Sequence, residues 1–237
     1  MLRKLKKIFA AVLLLLVVAA IAIYAIYHEP LPKGISGPQA DALAFKMFKV
    51  VNGEAFKGTR YLSWTYRNGK HTYIWDRTLG KVKVSWGDIT VNLILTNPEG
   101  SYVFDKGVEI NNDKRRKKII AKAVKMFNND SFWLVAPFKI FDKGVERSLV
   151  QLDDGSEALL VTYTSGGNTP GESYLWKLQP NGFPISFKMW VKIIPIGGLE
   201  ASWDDWQLVS SGAFLPKSHR IGPLKLDLGN VRGFNSF

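Results

Sequence analysis

The residues best suited to acid/base or metal chemistry are few and scattered along the chain. Asp204 and Asp205 are adjacent acids inside a strand pattern, but neighbouring strand residues point to opposite faces, so the two carboxylates cannot share a substrate. The histidines, His28, His71 and His219, are far apart in sequence and form no closely spaced metal-binding pair. We therefore predict a protein that is not an enzyme and has no metal site and no cofactor.

Phosphate binding and cysteine chemistry are also disfavoured. Residues 165–172, SGGNTPGE, are rich in glycine but lack the lysine and the following helix of a phosphate-binding loop, so they predict a hairpin loop. The chain contains no cysteine, which excludes disulfides, thiolate metal sites and lipid attachment to an N-terminal cysteine.

The aromatic residues are more informative, because they recur in the predicted strands. They make up 13% of the chain and include eight tryptophans, which is more than a compact core demands. We expect part of this set to line a cavity for a hydrophobic ligand, and close packing in a solid core is the alternative. The candidate ligand-binding residues are Trp64, Tyr73, Trp75, Trp86, Phe104, Tyr174, Trp176 and Phe187.

These aromatics lie in segments whose apolar pattern has a period of two. From Tyr61 five strands follow one another as a meander, with Asn68 and Gly69 as a two-residue hairpin turn. Strand patterns resume near residue 145 and continue to the C-terminus. With no alternation of strands and helices, the pattern predicts a mainly β fold with covering helices, in which one large curved antiparallel sheet forms an incomplete, half-open barrel.

Two amphipathic helices are predicted to cover this barrel, at residues 39–51 and 113–127. Residues 128–145 then change to an aromatic strand pattern. We expect residues 128–131 to turn the chain from the helix into the sheet, and Pro137 to confine the segment to an edge or bulge. The expected lid and hinge residues are Leu43, Met47, Val124, Phe127, Phe132, Trp133 and Phe138.

The second predicted helix has a basic face opposite its apolar stripe. A solvated surface is the ordinary interpretation of such a face. The alternative is contact with an anionic membrane surface, which contributes about 1 kcal/mol per charge. The net charge of +12 favours anionic partners in general. The candidate membrane-surface residues are Lys114, Arg115, Lys118, Lys122 and Lys125.

The N-terminus has the pattern of a membrane anchor. Residues 8–27 carry no charge, and at about 1.5 Å per residue they match a hydrocarbon core of roughly 30 Å. The basic residues within 1–7 place that segment in the cytoplasm and the rest of the chain across the membrane, which disfavours nucleic acid as a partner. A cleaved signal peptide is the alternative. Residues 28–38 hold three prolines and predict a short, semi-rigid spacer before a domain at residues 39–237.

Three short segments carry a resemblance to a known family. Residues 75–77 (WDR), 132–134 (FWL) and 137–139 (PFK) resemble a group of bacterial envelope proteins that is itself similar to the LolA/LolB lipoprotein-carrier superfamily. The likeness covers the layout from roughly residue 39 to the C-terminus. It implies an incomplete antiparallel barrel with an apolar concave face, closed by helices, that carries acyl chains between membranes.

Two features depart from that family. LolA-type carriers are soluble in the periplasm, whereas this chain is predicted to be anchored, and LolB-type receptors are anchored through a lipidated cysteine that is missing here. The arginine that latches the lid of LolA-type carriers has no motif match, so no functional residue is transferred. Arg77 is the candidate for an analogous role.

Residues and resemblance together predict an envelope protein that binds a lipid or lipoprotein acyl chain as carrier or receptor. It is expected in the bacterial inner membrane with its domain in the periplasm, or as a soluble periplasmic protein if the signal is cleaved. The main alternative is a structural or protein-interaction module with an envelope protein as its partner. An enzyme acting through His71 or Asp204 is a third hypothesis.

Overall fold

The computed structural model describes residues 2–166 and 170–236, so the middle of the predicted hairpin loop 165–172 lies outside the described residues. The helices are α1 (Leu2–Tyr27), α2 (Pro38–Val50), α3 (Gly53–Gly58) and α4 (Asp113–Val135), with 3-10 turns at Pro98–Gly100 and Ala136–Phe138. Helix α1 is long and apolar enough to cross a membrane, and a signal sequence shares both properties.

Strands make up most of the remaining regular structure. In chain order they are β1 (Tyr61–Tyr66), β2 (His71–Asp76), β3 (Lys81–Trp86), β4 (Ile89–Ile94), β5 (Tyr102–Asp105), β6 (Val108–Glu109), β7 (Val145–Gln151), β8 (Glu157–Tyr163), β9 (Glu172–Leu178), β10 (Pro184–Trp190), β11 (Leu199–Ser202), β12 (Gln207–Leu208), β13 (Phe214–Leu215), β14 (Ser218–Ile221), β15 (Leu224–Asp227) and β16 (Arg232–Phe234).

The first sheet contains the predicted meander. Strands β1 to β6 pair with their neighbours in sequence, and β16 adds antiparallel to β1 to give seven strands. The alternation of buried and exposed residues that predicted these strands is present in β1, where Leu62, Trp64 and Tyr66 face the core. The first hairpin is confirmed, but its loop has four residues, 67–70, because Tyr66 pairs with His71.

The second half of the chain forms a separate ladder instead of extending the first. Strands β7 to β11 make a five-stranded antiparallel sheet, while β12 with β13 and β14 with β15 form two-stranded ribbons. The expectation of one large sheet is therefore replaced by two sheets, with α4 between β6 and β7 in the chain. Both sheets, α2 and α4 contribute side chains to one main hydrophobic core.

Helix α4 differs most from its prediction. It continues through residues 128–131 to Val135, so these residues do not turn the chain into the sheet, and Pro137 lies in a 3-10 turn instead of a strand. Asparagine, aspartate and serine are weak helix formers, which is why the sequence predicted a stop. Packing overrides this propensity, because one buried stripe runs through the whole helix and includes Ile120, Ala123, Phe127, Asp130 and Leu134.

Asp130 fixes that stripe against the seven-stranded sheet. Its carboxylate accepts a 2.6 Å hydrogen bond from the Tyr73 hydroxyl and lies 2.7 Å from Nδ1 of His71. A carboxylate that is only 2% exposed requires such partners, since an unpaired buried charge is strongly destabilising. The two residues of β2 therefore determine how α4 is rotated about its axis.

The predicted spacer, residues 28–38, is bound along the five-stranded sheet. Ile35 exchanges two backbone hydrogen bonds with Leu149 of β7, at 2.8 and 2.9 Å. Gly34 lies so close to β7 that a Cβ atom there would come within 2.6 Å of the Ser148 side chain. The spacer thus packs beside a small apolar cluster on the face opposite the main core, formed by Val150, Ala158, Leu160 and Leu175.

The bond from Tyr73 to Asp130 gives a testable stability difference. Tyr73→Phe should lower the free energy of unfolding by about 2 kcal/mol, because a buried carboxylate loses a charge-assisted hydrogen bond. Denaturant unfolding of the full chain in detergent micelles measures this, with Tyr102→Phe as the control at a residue 54% exposed. Equal free energies for the two variants would show that the Tyr73 hydroxyl does not stabilise the fold.

Candidate functional site

An apolar cavity lies between the two sheets at the C-terminal half of α4. Its volume is about 500 Å³, within the range typical of small-molecule sites. Helix α4 forms one wall, and strands of both sheets form the others. The side chains that dominate its lining are Trp75, Phe127, Phe132, Tyr163, Tyr174 and Met189. We call this space cavity 1.

A second cavity adjoins the first and is lined mainly by rings. It has a volume of about 460 Å³ and lies between α2, α3 and the 3-10 turn that follows α4. Its aromatic lining residues are Phe45, Phe48, Phe56, Trp75, Phe138 and Phe141. We call it cavity 2. Trp75, Val135, Lys139 and Asp142 contact both cavities and so form the partition between them.

The partition is closed by a local ion pair. The Lys139 ammonium contacts the Asp142 carboxylate, and both side chains are nearly half exposed. Ion pairs with that exposure contribute about 0–1 kcal/mol, so the partition is weakly held.

The predicted ligand-binding residues divide into two groups. Trp75 and Tyr174 line cavity 1. The side chains of Trp64, Tyr73, Trp176 and Phe187 are at most 1% exposed and are packed within the main core.

The two remaining members of that set lie outside both cavities. Trp86 is partly buried at the end of β3, with the Lys122 ammonium 5.0 Å from the centre of its ring. Phe104 alternates with the buried Val103 on β5 and therefore lies on the opposite face of the seven-stranded sheet.

Most predicted lid and hinge residues lie at the cavities or beside them. Phe127, Phe132 and Trp133 line cavity 1, and Phe138 lines cavity 2. The Phe132 ring is 4.7 Å from the Tyr174 ring, measured between centroids, so α4 reaches the five-stranded sheet there. The other three, Leu43, Met47 and Val124, pack into the main core.

The predicted membrane-surface residues of α4 are all exposed. Arg115 pairs with the Asp105 carboxylate. Lys114 is 19 residues before Trp133, which lines cavity 1. In an α-helix this separation is roughly 28 Å, so the first of these cations lies far from the cavity. Their contact with a membrane stays a prediction.

Arg77 holds α3 against the end of β2. Its Nη1 donates to the carbonyl oxygens of Phe56 and Thr59, and its guanidinium carbon lies 4.0 Å from the centre of the Phe56 ring. Burial lowers the pKa of this guanidinium, and its bonds to carbonyl groups at the end of α3 compensate for lost hydration. The contact joins a helix to the sheet, and a latch function for Arg77 stays a prediction.

Tyr163 is a site residue that sequence reasoning missed. Tyr163 lines cavity 1, and its hydroxyl oxygen is buried without a hydrogen-bond partner among the residues that the structure describes. Burial raises its pKa, so the hydroxyl stays protonated and can donate. On the neighbouring strand, the Tyr174 hydroxyl donates to Glu172 at 3.1 Å. No sequence pattern distinguishes Tyr163 from other strand tyrosines, since its lack of a partner depends on tertiary packing.

The acids and histidines considered for catalysis are separately engaged. Asp204 pairs with Arg220 at 3.3 Å, and Asp205 accepts a hydrogen bond from Ser218. His219 lies between the carbonyl oxygens of Ser202 and Trp133, and burial lowers its pKa to about 4. In residues 2–166 and 170–236, no group of three or more histidine or acidic residues is arranged to hold a metal ion.

No protein-family model matches the chain, and no curated protein matches its sequence. Inference about function therefore rests on the two cavities, their polar groups and α1.

The Arg77 contact predicts a local effect on α3. Arg77→Gln should speed amide hydrogen exchange at residues 53–60 and lower the free energy of unfolding by about 2 kcal/mol, because bonds from a charged donor are lost. Arg67→Gln, in the exposed first hairpin loop, is the matched control. If exchange at residues 53–60 is the same in both variants, Arg77 does not hold α3.

Proposed function

We propose that the protein binds one hydrophobic ligand, a lipid or a lipoprotein acyl chain, in cavity 1 as a membrane-anchored receptor or carrier. The observation that carries the proposal is an apolar cavity of about 500 Å³ in a chain that begins with a membrane-length helix. In this proposal α1 anchors the protein in the bacterial inner membrane and the domain lies in the periplasm.

The size of the hydrophobic effect is sufficient for this function. Burying about fourteen methylenes at ~0.8 kcal/mol each gives roughly 11 kcal/mol before the cost of association. Apolar walls alone can therefore hold an acyl chain. In this proposal the unpartnered Tyr163 hydroxyl, buried beside the cavity, donates to the carbonyl oxygen of an ester or amide when the ligand is bound.

A half-open barrel is part of the proposal, and contacts between the two ladders support it. Asp204, just beyond β11, forms a bridge with Ser218 of β14. On the other side, the Thr65 amide of β1 donates to Leu228, directly after β15, at 2.9 Å. The β14–β15 ribbon thus lies between the end of β11 in one sheet and β1 in the other. The proposed barrel would be open between β6 and β7, which α4 connects in the chain.

A structural or protein-interaction module is the second candidate. The observation in its favour is that Trp64, Tyr73, Trp176 and Phe187 are fully packed, as in a core that holds no ligand. The two candidates differ in what should remain bound to the purified full chain.

Native mass spectrometry of the full chain, released from mild detergent, should show one bound lipid. Val145→Trp places an indole in cavity 1 and should lower the bound fraction about tenfold. Val108→Trp, at a residue 71% exposed on β6, is the control and should retain the lipid. A lipid-free unaltered chain, captured instead with one protein partner by cross-linking in cells, would support the second candidate.

Tyr163→Phe should have opposite effects on stability and binding. Removing an unpaired buried hydroxyl should leave the free energy of unfolding unchanged or higher. Affinity for an ester lipid should fall five- to tenfold, which corresponds to about 1 kcal/mol. Titration with a fluorescent ester lipid and with the matched hydrocarbon separates the contribution of this hydrogen bond to affinity from the contribution of the apolar contacts. An equal loss of affinity for both ligands would exclude a hydrogen bond from Tyr163 to the ester.

A further inference from the structure

The segment directly after α1 is bound to the loop between β10 and β11. The Gly197 amide donates to Nδ1 of His28 at 3.0 Å, and the Glu29 amide donates to the Gly197 carbonyl at 2.9 Å. Nε1 of Trp190 donates to the Glu29 carbonyl at 2.8 Å, and the Glu29 carboxylate pairs with Lys188 at 2.6 Å. Backbone and side-chain bonds therefore hold the end of α1 beside this loop.

The same loop, residues 191–198 (VKIIPIGG), forms part of cavity 1. Val191, Ile193 and Ile194 belong to the cavity lining. Ile193 is nevertheless 74% exposed, and Lys192 beside it is exposed as well. A large apolar side chain that is both solvent-exposed and part of a cavity lining marks a mouth. The mouth of cavity 1 and the end of α1 thus share one loop.

Chain geometry places this mouth near the bilayer that would hold α1. Ile193 is four residues from Gly197, a separation of at most about 14 Å. Tyr24 and Tyr27 lie in the last turns of α1, where aromatic residues mark the boundary between hydrocarbon and headgroups. The headgroup layer adds roughly 5–8 Å beyond that boundary, so Ile193 is within reach of it.

We propose that loop 191–198 lies in the headgroup layer of the membrane that holds α1, and that a lipid passes from the adjoining leaflet into cavity 1 beside Ile193. The lipid route rests on the proposed lipid binding, and the position of the loop does not. An exposed isoleucine next to a lysine suits this position, since the apolar side chain enters the acyl boundary and the ammonium meets phosphate groups.

The partner surface is a phospholipid bilayer, because α1 keeps the loop beside one. Because α1 anchors the domain, contact between loop 191–198 and the bilayer is intramolecular. Weak insertion of a single apolar side chain is then sufficient to keep the loop at the membrane. A protein partner would have to enter the gap between the domain and the bilayer to reach the same loop.

The absence of cysteine allows a depth measurement on the full chain. Ile193→Cys and Val108→Cys, at residues 74% and 71% exposed, are each labelled with an environment-sensitive fluorophore in phosphatidylcholine–phosphatidylglycerol vesicles. Val108 precedes the N-terminal end of α4, and the helix extends roughly 34 Å from there. The label at 193 should be blue-shifted and quenched by nitroxides at the headgroup and upper acyl positions, and the label at 108 should not.

Two results would overturn the position of the loop. Equal exposure to water at both positions would place the loop away from the bilayer. A label at 193 that is shielded from water but not quenched by lipid nitroxides would identify a protein contact instead.

The access route is tested by uptake of a fluorescent phospholipid from the same vesicles. Ile193→Asp should slow uptake about tenfold, and Val108→Asp should leave the rate unaltered. Equal rates for both variants would refute the route alone. No uptake by the unaltered chain would refute lipid binding and the route with it, while the quenching result still decides where the loop lies.

Discussion

One buried carboxylate fixes the central helix against the seven-stranded sheet. Asp130 lies between Tyr73 and His71 of β2, and a charge at that depth is tolerated only where these partners meet it. Rotation of α4 would break both contacts, so the helix is held in one orientation. That orientation points Phe127 at the seven-stranded sheet and Phe132 at the five-stranded sheet. The walls of cavity 1 thus depend on a polar contact at its side.

The aromatic residues have two different functions in this arrangement. Trp64 on β1 and Trp176 on β9, the central strand of its sheet, are fully buried, whereas Trp75 and Tyr174 line cavity 1. The cavity therefore lies beside the solid core, at one end of α4, and not along the middle of a hollow sheet. Phe127, Tyr174 and Met189 belong both to this core and to the cavity lining, so a ligand there would contact one edge of the core.

Periodicity predicted the local elements but not their assembly. Alternation within segments such as 61–66 was sufficient to place the meander, and the apolar positions of 39–51 were sufficient to place α2. The end of α4 was missed, because Asn128 to Ser131 favour a helix stop and the tertiary packing of the whole buried stripe, including Asp130, keeps the chain helical. The separation into two ladders, the free hydroxyl of Tyr163 and the docking of the spacer depend on contacts distant in sequence, which no local pattern encodes.

The bound spacer limits how far the domain can travel. One end is attached to the loop between β10 and β11, where Glu29 bonds to Gly197, and the other end is attached to β7, where Ile35 bonds to Leu149. Even if every one of these bonds broke, the eleven residues 28–38 could extend no more than about 40 Å. With α1 in a bilayer, the domain is thus confined to a thin layer above one membrane and cannot shuttle a cargo across a wider compartment. Any delivery to a distant membrane would need a second, diffusing protein to collect the ligand.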